Sequence, residues 1–195
     1  MKAKPIAAAV LVLLGATAPA LAHPGHGDVH GFIHGFAHPI GGLDHVLAMV
    51  AVGLFAAHLG GRALWVVPAA FVTLMAVGGA LGMNGVGLPY VETGIALSVV
   101  VFGLMLATSV ALPVGLAAGL VGFFAIFHGQ AHGAELPVGA SGLAFAAGFM
   151  IATAALHGAG IGLGLGAGRV ASTKAVRIGG AAMAAAGVGL LAGWI

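Results

Sequence analysis

Histidines and carboxylates are the residues of this sequence whose side chains can do chemistry. The chain has ten histidines, only four acidic residues and no cysteine. A metal site would therefore use imidazole, carboxylate, backbone, thioether or water ligands, which suit nickel, cobalt, zinc or copper(II). Seven residues are predicted to form such a site: His38, Asp44, His45, Glu92, His128, His132 and Glu135.

The first group of predicted ligands lies between residues 38 and 49. We expect His38 to cap the first membrane span, with Pro39 at the first helical position, where its missing N–H does no harm. His38 and His45 would then lie seven residues apart on one helical face, and Met49 follows His45 by one turn. Asp44 either binds the metal directly or orients the neighbouring imidazole.

The second group lies near the end of the fourth apolar stretch. His128 and His132 are four residues apart, and Glu135 follows three residues later. All three share a face if the helix continues that far. Gly129 and Gly133 weaken the helix, so that an unwound end is an equal alternative.

The remaining histidines are predicted to capture or relay metal. Histidines recur every four residues near the expected mature N-terminus, a pattern typical of metal-binding tracts, although a flexible, solvated arm is the alternative. These capture residues are His23, His26, His30 and His34. His58 and His157 lie in apolar stretches, where each is either a relay or exit ligand or a histidine packed between helices.

The elements that position these residues follow from composition. Of 195 residues, 61% are hydrophobic and 5% are charged, whereas a soluble domain has about 25% charged residues. Most of the surface must therefore face lipid. The six Lys and Arg residues form no basic stripe, which excludes nucleic acid as the expected partner. The predicted fold class is an all-α membrane protein with six transmembrane helices after a cleaved N-terminal signal peptide.

Residues 1–22 have the pattern of a secretory signal. Two lysines precede an apolar run, and Ala20-Leu21-Ala22 fits a small-x-small cleavage site. An uncleaved first transmembrane helix is the alternative, but the apolar run is short and Pro19 interrupts it. A His-rich periplasmic segment, 23–38, and a transmembrane domain, 39–195, would follow.

Six apolar stretches make up the predicted transmembrane domain. They cover residues 39–59, 63–83, 90–109, 113–130, 140–166 and 175–195. Six spans place both mature termini in the periplasm, and the positive-inside rule agrees, because Arg62, Arg169, Lys174 and Arg177 then fall on the cytoplasmic side. The predicted metal ligands, including Glu92 at the start of the third span, would gather at the periplasmic face.

Two stretches carry a family resemblance. Residues 38–49, HPIGGLDHVLAM, followed by Val52-Gly53, and residues 127–135, FHGQAHGAE, resemble the two signatures of the HupE/UreJ family of nickel/cobalt permeases. The resemblance implies nickel or cobalt uptake across the bacterial inner membrane for hydrogenase or urease maturation, with nickel chaperones downstream. It assigns metal handling to His38, Asp44, His45, Glu92, His132 and Glu135, with His128 beside them. Gln130 departs from the pattern, because some members have a histidine there.

The resulting hypothesis is a secondary transporter or channel-like permease for Ni²⁺, alternatively Co²⁺, without a prosthetic group. The chain has no P-loop, and we do not expect it to be an enzyme. Because metal binding requires deprotonated imidazole, affinity is expected to fall as pH drops through the ordinary histidine pKa near 6.5. A haem-binding membrane cytochrome and a metal-binding accessory protein without transport activity are the alternatives. Copper is an alternative substrate, since Met49, Met75, Met105 and Met150 lie in the spans.

Overall fold

The computed structural model describes residues 27–134, 136, 141–170 and 173–195. Over these residues the chain forms seven α-helices and no strand. They are α1 (Gly27–Gly41), α2 (Leu43–Leu59), α3 (Ala63–Met83), α4 (Val91–Thr108), α5 (Val114–Ala134), α6 (Gly142–Val170) and α7 (Thr173–Leu191). The predicted signal peptide lies outside the described residues, as do His23, His26 and Glu135 and the side chain of His30.

Five of these helices, α3 to α7, are long and apolar enough to cross a membrane. The helical part from Gly31 to Gly41 and α2 meet that condition together, but they are bent by 81° at the break between them. By length and composition, the described residues therefore contain five candidate membrane spans, or six if the bent pair counts as one. The expectation of an all-helical membrane protein is confirmed at this level.

The first span differs from the continuous helix predicted over residues 39–59. Helix α1 runs through Pro39 to Gly41, the backbone turns extended at Gly42 (φ −99°, ψ 124°), and α2 begins at Leu43. The expectation that His38 caps this span is wrong, because His38 lies in the last turn of α1. Gly41 and Gly42, which follow Pro39, lower the stability of the helix at this point, and the helix breaks there. His38 and His45 consequently lie on different helices.

The end of the fourth stretch is helical rather than unwound. Helix α5 continues through both His128 and His132 to Ala134. Its glycines are tolerated because they face a neighbouring helix: a methyl group on Gly129 would collide with the Met75 carbonyl, and one on Gly133 with the Gly79 carbonyl. Small residues let membrane helices approach closely, and here they allow α3 and α5 to pack along their lengths.

The helix directions alternate as membrane spans require. Helices α3 and α5 run parallel, since Met75 faces Gly129 and Gly79 faces Gly133. Helices α2 and α6 are also parallel, with Gly53 against His157. In contrast, α4 and α7 are antiparallel. Helix α1 packs on the beginning of α6, and this contact places the His-rich helix over the histidines of α2 and α5.

Candidate metal centre

Two histidines from separate helices meet at the centre of the candidate site. The Nε2 atoms of His45, in the first turn of α2, and His132, in the last turn of α5, lie 2.5 Å apart. Both residues are buried, and their ring centroids are 4.4 Å apart. At this distance the two lone pairs cannot face each other, so one ring must donate a hydrogen to the other.

Asp44 decides which ring is the donor. Its Oδ1 accepts hydrogen bonds from the backbone N–H and from the Nδ1 of His45, both at 2.8 Å. A carboxylate only accepts, so the hydrogen of a neutral His45 ring is on Nδ1 and its Nε2 carries the lone pair. His132 therefore donates from Nε2, which leaves a lone pair on its Nδ1. That atom is buried and has no hydrogen-bond partner among the described residues. Asp44 thus orients His45 in the structure.

Ser98 fixes the third histidine in the same way. The hydroxyl of this fully buried serine donates to the Ile95 carbonyl at 2.6 Å, so its oxygen must accept from His128 Nε2 at 2.9 Å. The lone pair of His128 is then on Nδ1, which is also buried without a partner in the described part of the chain. The sequence analysis did not include Ser98. A signal was present, since it is a small polar residue in the middle of an apolar span.

His38 joins the site from α1. Its ring lies edge-on to the His132 ring, with centroids 4.6 Å apart, and His34 is one turn away at 5.7 Å. Phe145 and Phe149 of α6 form the wall behind these rings. We call His38, His45, His128 and His132 the histidine cluster. It brings together four of the seven predicted ligands, with Asp44 attached to it.

A cavity of about 400 Å³ opens beside the histidine cluster. Its polar lining consists of His34, His38, Asp44, His45, Glu92 and His132. Glu92 is exposed in the first turn of α4. Asp44 and Glu92 contribute two carboxylates to this lining, and none of the described residues that line the cavity is Lys or Arg, so the cavity favours a cation over an anion.

The cluster is not a closed ligand shell. In the described part of the chain, no three His, Asp or Glu side chains are already arranged to hold one ion. For one cation to bind the Nε2 atoms of both His45 and His132, with metal–nitrogen bonds of about 2.0–2.1 Å, these atoms would have to separate to roughly 3 Å and the His132 hydrogen would have to move from Nε2 to Nδ1. Modest ring movements into the cavity would provide this distance.

The other predicted residues lie apart from the cavity. Met49 is fully buried in the hydrophobic core, and His58 is exposed at the far end of α2. His157 is buried in α6 against Phe71. The Gln130 side chain donates to the Val86 carbonyl at 3.2 Å, so it holds the loop after α3 and does not line the cavity.

Comparison with known proteins identifies the family. A family model described as HupE / UreJ protein matches residues 11–190. The chain belongs to the HupE/UreJ family. This family is associated with nickel and cobalt transport. A relative within it, Protein HupE of Rhizobium leguminosarum bv. viciae, is 50% identical over 155 residues, which cover 80% of this chain and 81% of that protein. No solved structure matches the chain. The resemblance predicted from the two HupE/UreJ signatures is thereby confirmed.

Proposed function

We propose that this protein is a permease that imports Ni²⁺, alternatively Co²⁺, across the bacterial inner membrane for maturation of a hydrogenase or urease. The observation that carries the proposal concerns the Nδ1 atoms of His128 and His132, which are buried without a hydrogen-bond partner among the described residues. They belong to a histidine cluster whose adjoining cavity is lined by Asp44 and Glu92. Neutral imidazole nitrogens with carboxylates nearby are suitable ligands for nickel and cobalt. A purely structural role would leave these lone pairs unsatisfied.

The cavity is suited to be the entrance. With the six-span topology, in which the bent pair α1 and α2 is one span, the positive-inside rule places exposed Arg62 and Arg177 on the cytoplasmic side. The cavity then opens toward the periplasm. Glu92 and Asp44 attract the hydrated ion, and His34 on α1 extends the series of imidazoles outward. The ion exchanges water for imidazole as it passes from the cavity to the histidine cluster.

Glu135 and the N-terminal histidines extend this proposal beyond the described residues. Glu135 is the next residue in the sequence after the end of α5 and follows His128 by seven residues, and we propose it as a further ligand at the entrance. We propose His23, His26 and His30 as capture residues that raise the local concentration of metal.

The haem alternative fits the cluster poorly. Haem ligated by two histidines needs their nitrogens on opposite sides of the iron, about 4 Å apart if the metal–nitrogen bonds are about 2 Å. The Nε2 atoms of His45 and His132 are instead in hydrogen-bond contact, and aromatic rings enclose the remaining side. We therefore favour a single cation over a macrocycle.

Nickel-63 accumulation tests the proposal in bacterial cells that lack other nickel importers. We expect the wild-type chain to restore accumulation and the variants Asp44→Asn and His132→Phe to reduce the initial rate at least tenfold. Asn84→Ala is the matched control, because Asn84 is an exposed polar residue near the same end of the bundle whose side chain donates to the Ala80 carbonyl of its own helix. Wild-type accumulation no higher than in cells without the protein would refute transport. Binding of nickel without accumulation would instead support the accessory-protein alternative.

A further inference from the structure

His157 is a buried polar residue that the proposed entrance does not use. It is 1% exposed in the middle of α6, and neither Nδ1 nor Nε2 has a hydrogen-bond partner among the described residues. A neutral imidazole has one donor and one acceptor, so both of its polar atoms are unsatisfied. Buried polar groups usually have partners, and an orphaned pair on one ring requires an explanation.

The number of residues along α6 and along α2 gives the same distance, parallel to the helix axes, from His45 and His132 to His157. On α6, Phe149 contacts the rings of His38 and His132, and His157 follows eight residues later. On α2, Gly53 follows His45 by eight residues and packs against the His157 carbonyl. Because an α-helix rises 1.5 Å per residue, His157 lies about 12 Å farther along the bundle than His45 and His132, and His128 lies between these levels.

A single ring connects the two levels. Phe71 of α3 is fully buried and contacts His128 of the cluster, with centroids 5.5 Å apart. The same ring also contacts His157, with centroids 5.0 Å apart and planes at 84°. The Phe71 ring therefore touches both imidazoles and links the histidine cluster to His157.

Two further side chains near His157 carry atoms that could bind a metal. Thr153 is one turn earlier on α6 and fully buried, and its hydroxyl donates to the sulfur of Met75 at 3.7 Å. Met75 is one turn from Phe71 on α3 and 2% exposed. Imidazole nitrogen, hydroxyl oxygen and thioether sulfur thus lie within about one helical turn of one another, and none of these three side chains is a carboxylate. Such a neutral set would bind a divalent cation more weakly than the acidic entrance, as a site that must release its ion requires.

We propose that His157, with Thr153 and Met75, forms a second and deeper binding site for the transported divalent cation, linked to the histidine cluster through Phe71, which contacts both His128 and His157. The inference rests on the proposed transport function, because it is the next position on a path through the bundle. His157 would accept the ion that leaves His128 and pass it toward the far side of the membrane.

The test compares purified wild-type protein with His157→Phe and His157→Gln. Equilibrium dialysis with nickel-63 gives the number of ions bound per chain and their affinities, and uptake is measured in cells. Ile151→Phe is the matched control, because it introduces the same side chain on an exposed position of the same helix. Circular dichroism and size-exclusion chromatography establish folding. If His157→Phe does not fold, His157→Gln, which retains polar atoms in a similar volume, provides the result.

We expect both His157 variants to bind one ion fewer per chain, to retain the tighter affinity within twofold, and to lose at least tenfold in uptake rate. Unchanged stoichiometry and uptake within twofold of wild type would overturn the inference. A fall in the tighter affinity as large as that of Asp44→Asn would also overturn it, because His157 would then belong to the entrance. If wild type does not accumulate nickel but His157→Phe still loses one bound ion, the deeper site stands and the transport proposal fails.

Discussion

His45 and His132 are 87 residues apart in the sequence, and their Nε2 atoms face each other at 2.5 Å. This contact joins the first turn of one helix to the last turn of another. The contact depends on the helix break at Gly42, because α2 begins directly after it and His45 lies in its first turn. It also depends on the close packing of α3 and α5 through Gly129 and Gly133, which positions His132.

Asp44→Asn should reduce nickel affinity of the purified protein by about 10- to 100-fold, the usual effect of removing a carboxylate that orients a ligating histidine. The asparagine amide cannot hold the His45 ring as the carboxylate does, because one of its two polar atoms is a hydrogen-bond donor whereas both carboxylate oxygens accept. Calorimetric titration with nickel measures the change. An affinity within twofold of wild type would mean that Asp44 does not orient the His45 imidazole in the metal-bound state.

Ser98→Ala should lower nickel affinity and uptake about tenfold or more, because the His128 N–H loses its acceptor and the ring is free to present the wrong nitrogen. The matched control is Thr108→Ala on the same helix. The Thr108 hydroxyl also donates to a carbonyl of its own helix, Leu104 at 2.7 Å, and has no hydrogen bond to a histidine among the described residues. Equal effects of the two substitutions on nickel binding would show that Ser98 acts only through the stability of α4.

Gly42→Ala should weaken nickel binding with little loss of stability. A methyl group at Gly42 would lie 2.7 Å from Asp44 Oδ1 and 3.0 Å from His45 Nδ1, and would displace this pair. Gly41→Ala is the control, because a methyl group there meets nothing within 4 Å. Nickel titration and thermal unfolding in detergent separate the two effects. Our interpretation fails if Gly41→Ala and Gly42→Ala weaken binding to the same extent.

Gly129→Ala should destabilise the bundle by about 1–3 kcal/mol, the usual cost of overpacking. The added methyl group would collide with the Met75 carbonyl and force α3 and α5 apart. In contrast, Gly115→Ala on the same helix adds a methyl group into open space, and we expect it to raise stability by up to about 1 kcal/mol through helix propensity. Thermal unfolding temperatures in one detergent measure both. A Gly129→Ala protein as stable as wild type would contradict the described packing of α3 on α5.

Part of the site could be predicted because it depends on residue types and on their spacing in the local sequence. The absence of cysteine and the excess of histidine limited the ligand types. The four-residue spacing of His128 and His132 predicted a shared helical face, and α5 does extend through both. The same local reasoning failed at His38, because it assumed one continuous helix across Gly41-Gly42. Whether two glycines break a helix depends on what the flanking segments pack against, and α1 packs on α6.

The sequence by itself determined that the chain is a membrane protein of the HupE/UreJ family, because hydropathy and short motifs are properties of consecutive residues. Only the tertiary structure decided which imidazole nitrogens are free. That depends on partners far away in the chain: Ser98 determines the tautomer of His128, and His45 occupies the Nε2 of His132. The lack of hydrogen-bond partners for the His157 ring among the described residues could likewise not be predicted from the sequence, because it is recognised only when the helices around the buried ring are in place.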